Sequence, residues 1–367
     1  MITQRKIDHI EICLSYPVEF RYNRTLFEDV KLIHNSLPQI NLSDIDTTTT
    51  FLGHKLNAPI IISAMTGGSE EAYKINSILA SVAEKLGIGM GVGSQRVAIE
   101  KPEWSYTFSV VREVAPNAFI IGNLGAAQLG LNYGIVEIQK AIDMVKADAF
   151  AIHFNPLQEA IQHEGEPFYY GVLEKIKSLI PYLKIPLIAK ETGSGFSREA
   201  ALKLYETGFS AIDIAGAGGT SWAAVEYYRS MKLGDEECAH LAYTFWDWGI
   251  PTAASLCEVK YAINLPIIAS GGIRSGIDAA KAIALGADCV GIALPLLKMV
   301  IEGGFEGVYN YIKHFIRELK ISMFLVGAKT IEELKNIPLV ITGNLREWLS
   351  SRGIPLEIYE KKTKNIL

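Results

Sequence analysis

In the stretch AFAIHFNPLQE, residues 149–159, an apolar run too short for a helix ends in His153, Asn155, Gln158 and Glu159. These side-chain types cover most of what a polar reaction site needs. An imidazole moves protons or meets an anion, a carboxamide orients a proton or a substrate, and a carboxylate holds a hard cation. The amide of Gln158 does not titrate near neutrality, so it suits orientation better than acid catalysis. The same four residues would also make an ordinary exit from a strand into a loop, and their surroundings decide between the two.

Polar or glycine chemistry closes the other short apolar runs as well. The ends carry Met65, Thr66, Gly67 and Gly68; Ser94, Gln95 and Arg96; Asn123; Lys190, Glu191 and Thr192; Gly216, Gly218, Gly219, Thr220 and Ser221; Gly271, Gly272 and Arg274; and Ala293 with Leu294. Within ASGGIRSG, residues 269–276, two glycines after a strand let backbone N–H groups approach an anion, and the next helix adds its positive end. A tight turn that needs glycine would read the same way. GAGGTS, residues 216–221, is a second flexible loop that alone would say little. A phosphate-bearing cofactor held there, with Lys190 nearby, suits a flavin mononucleotide (FMN) whose reduced ring the lysine would stabilise; the plainer role for Lys190 is a buried ion pair. Arg5, Lys6, Arg96 and His153 form a separate basic set. It would clamp a second phosphorylated group if the N-terminal arm folded over the site, and would be a solvated terminus otherwise.

The elements that must position these groups follow from hydrophobic pattern. Eight short runs, beginning at Pro59, Ile88, Ala118, Ala149, Ile185, Ala211, Leu265 and Cys289, are apolar without strict alternation, as strands covered on both faces are. Amphipathic segments separate them. Residues 70–87 place Ala72, Ile75, Ile78, Leu79, Val82 and Leu86 on one stripe and stop at Gly87, and residues 197–208 run from a capping serine to Gly208. Eight strand–helix repeats predict an α/β fold, a closed (β/α)8 TIM barrel in a single domain over residues 1–367. Residues 1–50 form an N-terminal arm and residues 300–367 a C-terminal helical extension, with a helix expected near 308–319. Strand ends then converge on one mouth. Between the sixth and seventh strands, residues 222–251 are an aromatic-rich insertion, read as an elaborated crossover helix with its rings in a core, or else as a lid or subunit contact.

Composition narrows the partners. Hydrophobic residues make up 49% and charged residues 20%, and the formal charge of −5 provides no general basic field for nucleic acid or an anionic membrane. The charged N-terminus lacks a signal-peptide core, and the uncharged run 289–297 is far below the roughly 20 residues of a membrane helix, so a cytoplasmic protein is expected. Cys13, Cys238, Cys257 and Cys289 are scattered, as reduced and mostly buried thiols are.

Taken together and in order, RKIDH, MTGG, GSQR, HFNPLQE, AKETGSG, AGAGGTS and ASGGIRSG resemble the type 2 isopentenyl-diphosphate isomerases, over residues 5 to about 294. The resemblance implies conversion of isopentenyl diphosphate to dimethylallyl diphosphate in isoprenoid synthesis, with reduced FMN and Mg2+ and no net redox change. NADPH or another donor would serve to reduce the flavin, and the assembly would be a homotetramer. By matched motif, Met65, Thr66, Gly67, Ser94, Asn123, Lys190 and Thr220 would meet the flavin, and Gly271, Gly272, Ala293 and Leu294 its phosphate. Arg5, Lys6, Arg96, His153, Asn155 and Gln158 would face the substrate, with Gln158 and His153 nearest the chemistry and Glu159 on Mg2+. The rival reading is an FMN oxidoreductase of the hydroxy-acid oxidase or nucleotide dehydrogenase type. That chemistry needs a histidine base or a nucleophilic cysteine at the mouth, which AGAGGTS does not contain.

Overall fold

The computed structural model describes residues 2–360. Its centre is a closed barrel of eight parallel strands: β1 (Ile60–Ile62), β2 (Gly89–Gly91), β3 (Ile120–Gly125), β4 (Ala149–Phe154), β5 (Leu187–Glu191), β6 (Ala211–Asp213), β7 (Ile267–Ser270) and β8 (Cys289–Ile292). The strands pair in chain order, and β8 closes on β1 with Val290 opposite Ile60. Alternation within each strand divides the core. Ile61, Ile121, Ala151, Ile188 and Ile268 point into the barrel, while Ile60, Ile62, Ile120, Ile212 and Ile267 join the layer shared with the helices.

The two ends of the barrel are treated differently. At the end where strands begin, the hairpin Thr49–Phe51 with His54–Leu56 delivers Phe51 and Leu56 into the interior cluster, and the Phe51 ring meets Phe119 edge-on at 6.0 Å. That end is plugged. At the other end the arm helix, Ile2–Ser15, lies across the insertion helix Trp222–Leu233, tied by Lys232 to Glu11 at 2.8 Å and by stacking of Tyr16 on Tyr228 at 4.4 Å. The arm is therefore a roof, not a solvated terminus. Its return stretch is held by the Asp247 carboxylate, which accepts the backbone N–H of Arg21, Tyr22 and Asn23 at 2.8, 2.9 and 3.2 Å. Arg21 also lies over the Trp246 ring at 3.6 Å.

The insertion is two helices, Trp222–Leu233 and Glu236–Thr244, and its aromatics divide. Tyr227, Tyr228 and Trp246 pack on one another, while Trp248 is 61% exposed. The C-terminal extension differs from the all-helical expectation. Its long helix, Leu294–Val326, covers the expected segment and kinks at Gly304, but Leu339–Ile341 is a strand paired antiparallel with Val30–Leu32 of the arm. A three-residue strand whose partner lies some three hundred residues away leaves little local pattern. The last seven residues of the extension lie outside the described residues.

Because Phe51 is 1% exposed and fills the closed end alone among the hairpin's aromatics, Phe51→Ala should lower unfolding stability by about 3–5 kcal/mol. Urea titration followed by tryptophan fluorescence would check it, and a loss below about 1 kcal/mol would show that the plug is dispensable.

Candidate active site

At the open end lies a cavity of about 220 Å³, bounded by strand ends, the arm and the start of the long helix. Arg5, Lys6, Met65, Thr66, Ser94, Arg96, Asn123, His153, Asn155, Gln158, Glu159, Lys190, Thr220, Gly271, Gly272, Ala293 and Leu294 all stand on its wall. Gly67 does not. A Cβ there would lie 2.0 Å from the Phe108 ring, so close packing against that ring explains this glycine.

One region is built from glycine loops. Gly218, Gly271 and Gly272 take φ of +115°, +100° and +75°, and a Cβ on Gly272 would strike Thr25 Cγ2 at 2.4 Å. The arm thus braces the loop after β7, and the Arg274 guanidinium is held by Glu19 of the arm. After β8 the long helix starts at Leu294 with no side-chain cap. Beneath this region Lys190 Nζ donates to Asp213 Oδ2 at 2.7 Å, so the buried ion pair foreseen for this lysine is present. Glu191 beside it gathers the backbone N–H groups of Thr192, Gly193 and Ser194, which shapes the loop after β5. Burial outweighs those three donors and lifts its carboxyl to about 7.

A second region is cationic. Burial, then the nearby Arg5 and Arg96, push the Lys6 ammonium down to about 7. Arg96 is occupied by carboxylates, with Nη1 donating to Glu166 at 2.6 Å and Nε to Glu100 at 2.6 Å. His153 carries no charge here, because burial and then Lys6 and Lys190 lower it to about 3. Its Nδ1 donates to Asn123 Oδ1 at 2.7 Å, which leaves Nε2 as an acceptor. The ring is a neutral hydrogen-bonding group in this cavity.

Between these regions the residues of the HFNPLQE stretch are fixed by one another. Glu159, 8% exposed, accepts Asn155 Nδ2 at 3.0 Å on Oε1, and Gln162 Nε2 at 2.6 Å with Glu166 N at 2.9 Å on Oε2. Oε1 retains one acceptor position. Gln158 Oε1 accepts Asn155 Nδ2 at 3.1 Å, and its Nε2 donates to Glu226 Oε1 at 2.9 Å. Glu226, on the insertion, is fully buried and also meets His9 Nε2 at 3.0 Å and Arg229 Nη1 at 3.3 Å. Burial opposes its charge, but His9, Gln158 and Arg229 outweigh it and hold the carboxyl below the usual carboxylate range.

Sequence reasoning did not single out Asp213, Glu226, Arg229, Gln162 or Glu166. Asp213 left a trace as the one charged residue in the apolar run AIDIAG. Glu226 and Arg229 left none, since each is an ordinary charge on a helix until the fold buries it. Cys13 lines the cavity from the arm helix and no cysteine stands at a strand exit. His163, Asp235 and Cys238 are grouped elsewhere because Asp235 caps its helix through the Cys238 N–H and accepts His163 at 2.6 Å.

Three buried oxygens on this wall, Ser63 Oγ, Thr66 Oγ1 and Gln162 Oε1, have no hydrogen-bond partner among the described residues. Buried polar atoms are rarely left so, and Thr66 is one of the residues expected to meet the flavin, which fits a polar ligand there. The third is turned away from Glu159, because its own amide N–H faces that carboxylate. The open acceptor position on Glu159 Oε1 is a carboxylate donor of the kind a hard cation such as Mg2+ takes.

Fold and site together define a class, the barrel proteins that hold a phosphate-bearing flavin at the strand ends. A sequence model described as FMN-dependent dehydrogenase matches residues 1–103 and 138–340. Among solved structures, a lactate oxidase of Pediococcus acidilactici superposes with a TM-score of 0.65 at 19% identity, covering 93% of each chain. A flavocytochrome b2 variant gives 0.64 at 19% identity, over 89% of this chain and 81% of the other. These likenesses show the fold. An isopentenyl-diphosphate delta-isomerase of Sulfurisphaera tokodaii is 54% identical over 365 residues, 99% of this chain and 98% of that one, and its Pyrococcus furiosus namesake is 53% identical over 98% and 92%. The chain belongs to the isopentenyl-diphosphate delta-isomerase family.

The depressed Lys6 implies linked protonation. A bound polyanion raises the ammonium's affinity for its proton, so at pH 8 binding of inorganic diphosphate should take up about one proton per site more than in Lys6→Met, and at pH 6, where Lys6 is already charged, almost no more. Calorimetry in two buffers of different ionisation enthalpy measures this. Equal uptake at pH 8 in the wild type and in Lys6→Met would assign the linked proton elsewhere.

Proposed function

We propose that this protein converts isopentenyl diphosphate to dimethylallyl diphosphate, with bound FMN in its reduced form, Mg2+ on the diphosphate, and no net redox change. NADPH or another donor serves to reduce the flavin. The observation that carries this reading is a second, cationic region, Arg5, Lys6 and Arg96, in the same cavity as the glycine loops. A hydroxy-acid oxidase has no use for a second phosphate clamp beside the one for FMN. Relatives of about half identity bear the isomerase name over nearly their full length.

Moving the double bond by one carbon adds a proton at one carbon and removes one at another, through an electron-poor tertiary centre. Reduced FMN, when bound, supplies an electron-rich ring and an exchangeable ring proton. The chain's own residues do the rest. Arg5 and Lys6 take phosphate oxygens, and Arg96 exchanges its carboxylate partners for them. Glu159 would hold the cation that neutralises the diphosphate. The Gln158 carboxamide, pinned from both sides by Asn155 and Glu226, orients the alkene and the proton between them. His153, being neutral, offers Nε2 as an acceptor and adds no positive charge that would oppose a cationic transition state. Met65, Thr66, Gly67, Ser94, Asn123 and Thr220 line or back the ring, while Gly271, Gly272, Ala293 and Leu294 enclose its phosphate. The arm and insertion keep water out.

The protein is expected to act in the cytoplasm as a homotetramer, with the exposed Trp248 and Tyr22 as candidate contact residues. Among the described residues no helix is long and apolar enough to cross a membrane.

Incubation of purified protein with isopentenyl diphosphate, FMN, Mg2+ and dithionite under anaerobic conditions should yield dimethylallyl diphosphate. No product with reduced flavin, or turnover only with an electron acceptor, would favour the oxidoreductase reading. Glu159→Gln should raise the Mg2+ concentration for half-maximal rate at least about tenfold, the worth of roughly 1.4 kcal/mol, while FMN still binds. Unchanged Mg2+ dependence would remove Glu159 from the metal.

A further inference from the structure

One buried carboxylate touches the cavity only through its partners. Asp213, the last residue of β6, is 4% exposed and lies behind the wall, whereas Lys190 and Ser270 are on it. In the barrel register Lys190 of β5 stands directly opposite Asp213, and its Nζ donates to Oδ2 at 2.7 Å. From the end of β7, Ser270 Oγ donates to Oδ1 at 2.5 Å. Both partners are buried, at 9% and 4% exposure. The carboxylate joins three adjacent strand ends and leaves Lys190 as half of a neutral pair.

We propose that Asp213 is a positioning residue that sets, through Lys190, the charge presented to the bound flavin. The inference rests on the reading of this cavity as an FMN site with Lys190 against the ring. A buried ammonium without its counter-ion draws compensating negative charge from whatever lies next to it. Against a flavin that charge is supplied by the electron-rich reduced ring. With Asp213 present the pair is neutral, so the site holds reduced FMN without over-stabilising its anionic form, and Lys190 stays aimed along one direction. An isomerase that uses the reduced ring as an acid and a base gains from that restraint, because a ring held too firmly as an anion is a poor proton donor.

The test is a double-mutant cycle read as the reduction potential of bound FMN, with oxidised-FMN affinity measured alongside. Asp213→Asn keeps the shape and removes the charge. It should make reduced FMN bind about tenfold more tightly relative to oxidised FMN, a shift of roughly +30 mV for a two-electron couple. Lys190→Gln leaves Asp213 unpaired and should shift the potential the other way. The double variant should return towards the wild-type value. Opposite signs that cancel in the double variant are not produced by general loosening. If Lys190→Gln moves the potential and Asp213→Asn leaves it within a factor of two in the affinity ratio, the role of Asp213 is overturned. If Lys190→Gln changes neither potential nor FMN affinity, the placement of Lys190 against the ring fails instead, and the proposal with it. Should Asp213→Asn lose its fold by circular dichroism, Ser270→Ala removes one hydrogen bond from the same carboxylate. It should shift the potential in the negative direction, because the less solvated carboxylate weighs more heavily against Lys190; a positive shift or none would overturn the proposal.

Discussion

A carboxylate with no access to water fixes the geometry of this site. Glu226 is fully buried, and an ionised group in that position is tolerable only when its acceptor positions are filled by well-placed donors. His9, Gln158 and Arg229 supply them from the arm, from the exit of β4 and from its own helix. Loss of one partner from such a buried pair costs about 3–5 kcal/mol, so the three elements are bound to one arrangement. The roof over the cavity and the carboxamide inside it are thereby set by a single anion. Arg229 extends the connection, since it also donates to Glu164 at 2.6 Å, which in turn lies 3.9 Å from Arg5.

Charge in the cavity is partitioned with the same economy. Lys190 is neutralised by Asp213, and His153 is kept neutral by burial and its cationic neighbours. Arg96 is matched by Glu166 and Glu100. Lys6 has no carboxylate partner among the described residues, and burial with the nearby Arg5 and Arg96 lowers its ammonium to about 7. The Glu166 loop links both functions there. Its carboxylate holds Arg96 while its backbone N–H holds Glu159.

Much of the site is legible from the chain because parallel strands in a barrel all end at one mouth. Once eight apolar runs are placed, the residues that follow each run are neighbours without further information, and of those expected to meet flavin, substrate or metal all but Gly67 stand on one wall. Gly67 shows the limit. A glycine in a motif is equally explained by a flavin or by the Phe108 ring, and the ring lies far off in sequence. The arm was open to two readings because a charged terminal helix shows its burial only when its partner surface is known. The strand in the C-terminal extension was missed for a related reason, as its pairing partner lies at the other end of the chain.

By itself the sequence determined the barrel, the convergence of its loops, the glycine-rich turns and the residue types available for chemistry, since period, glycine placement and strand ends are local properties. Only the tertiary structure decided which charges are in water and which are buried. That is a matter of long-range packing: Asp213, Glu226 and Arg229 are unremarkable along the chain, and become constraints because folding removes them from solvent and requires each to find its donors or acceptors among residues far away.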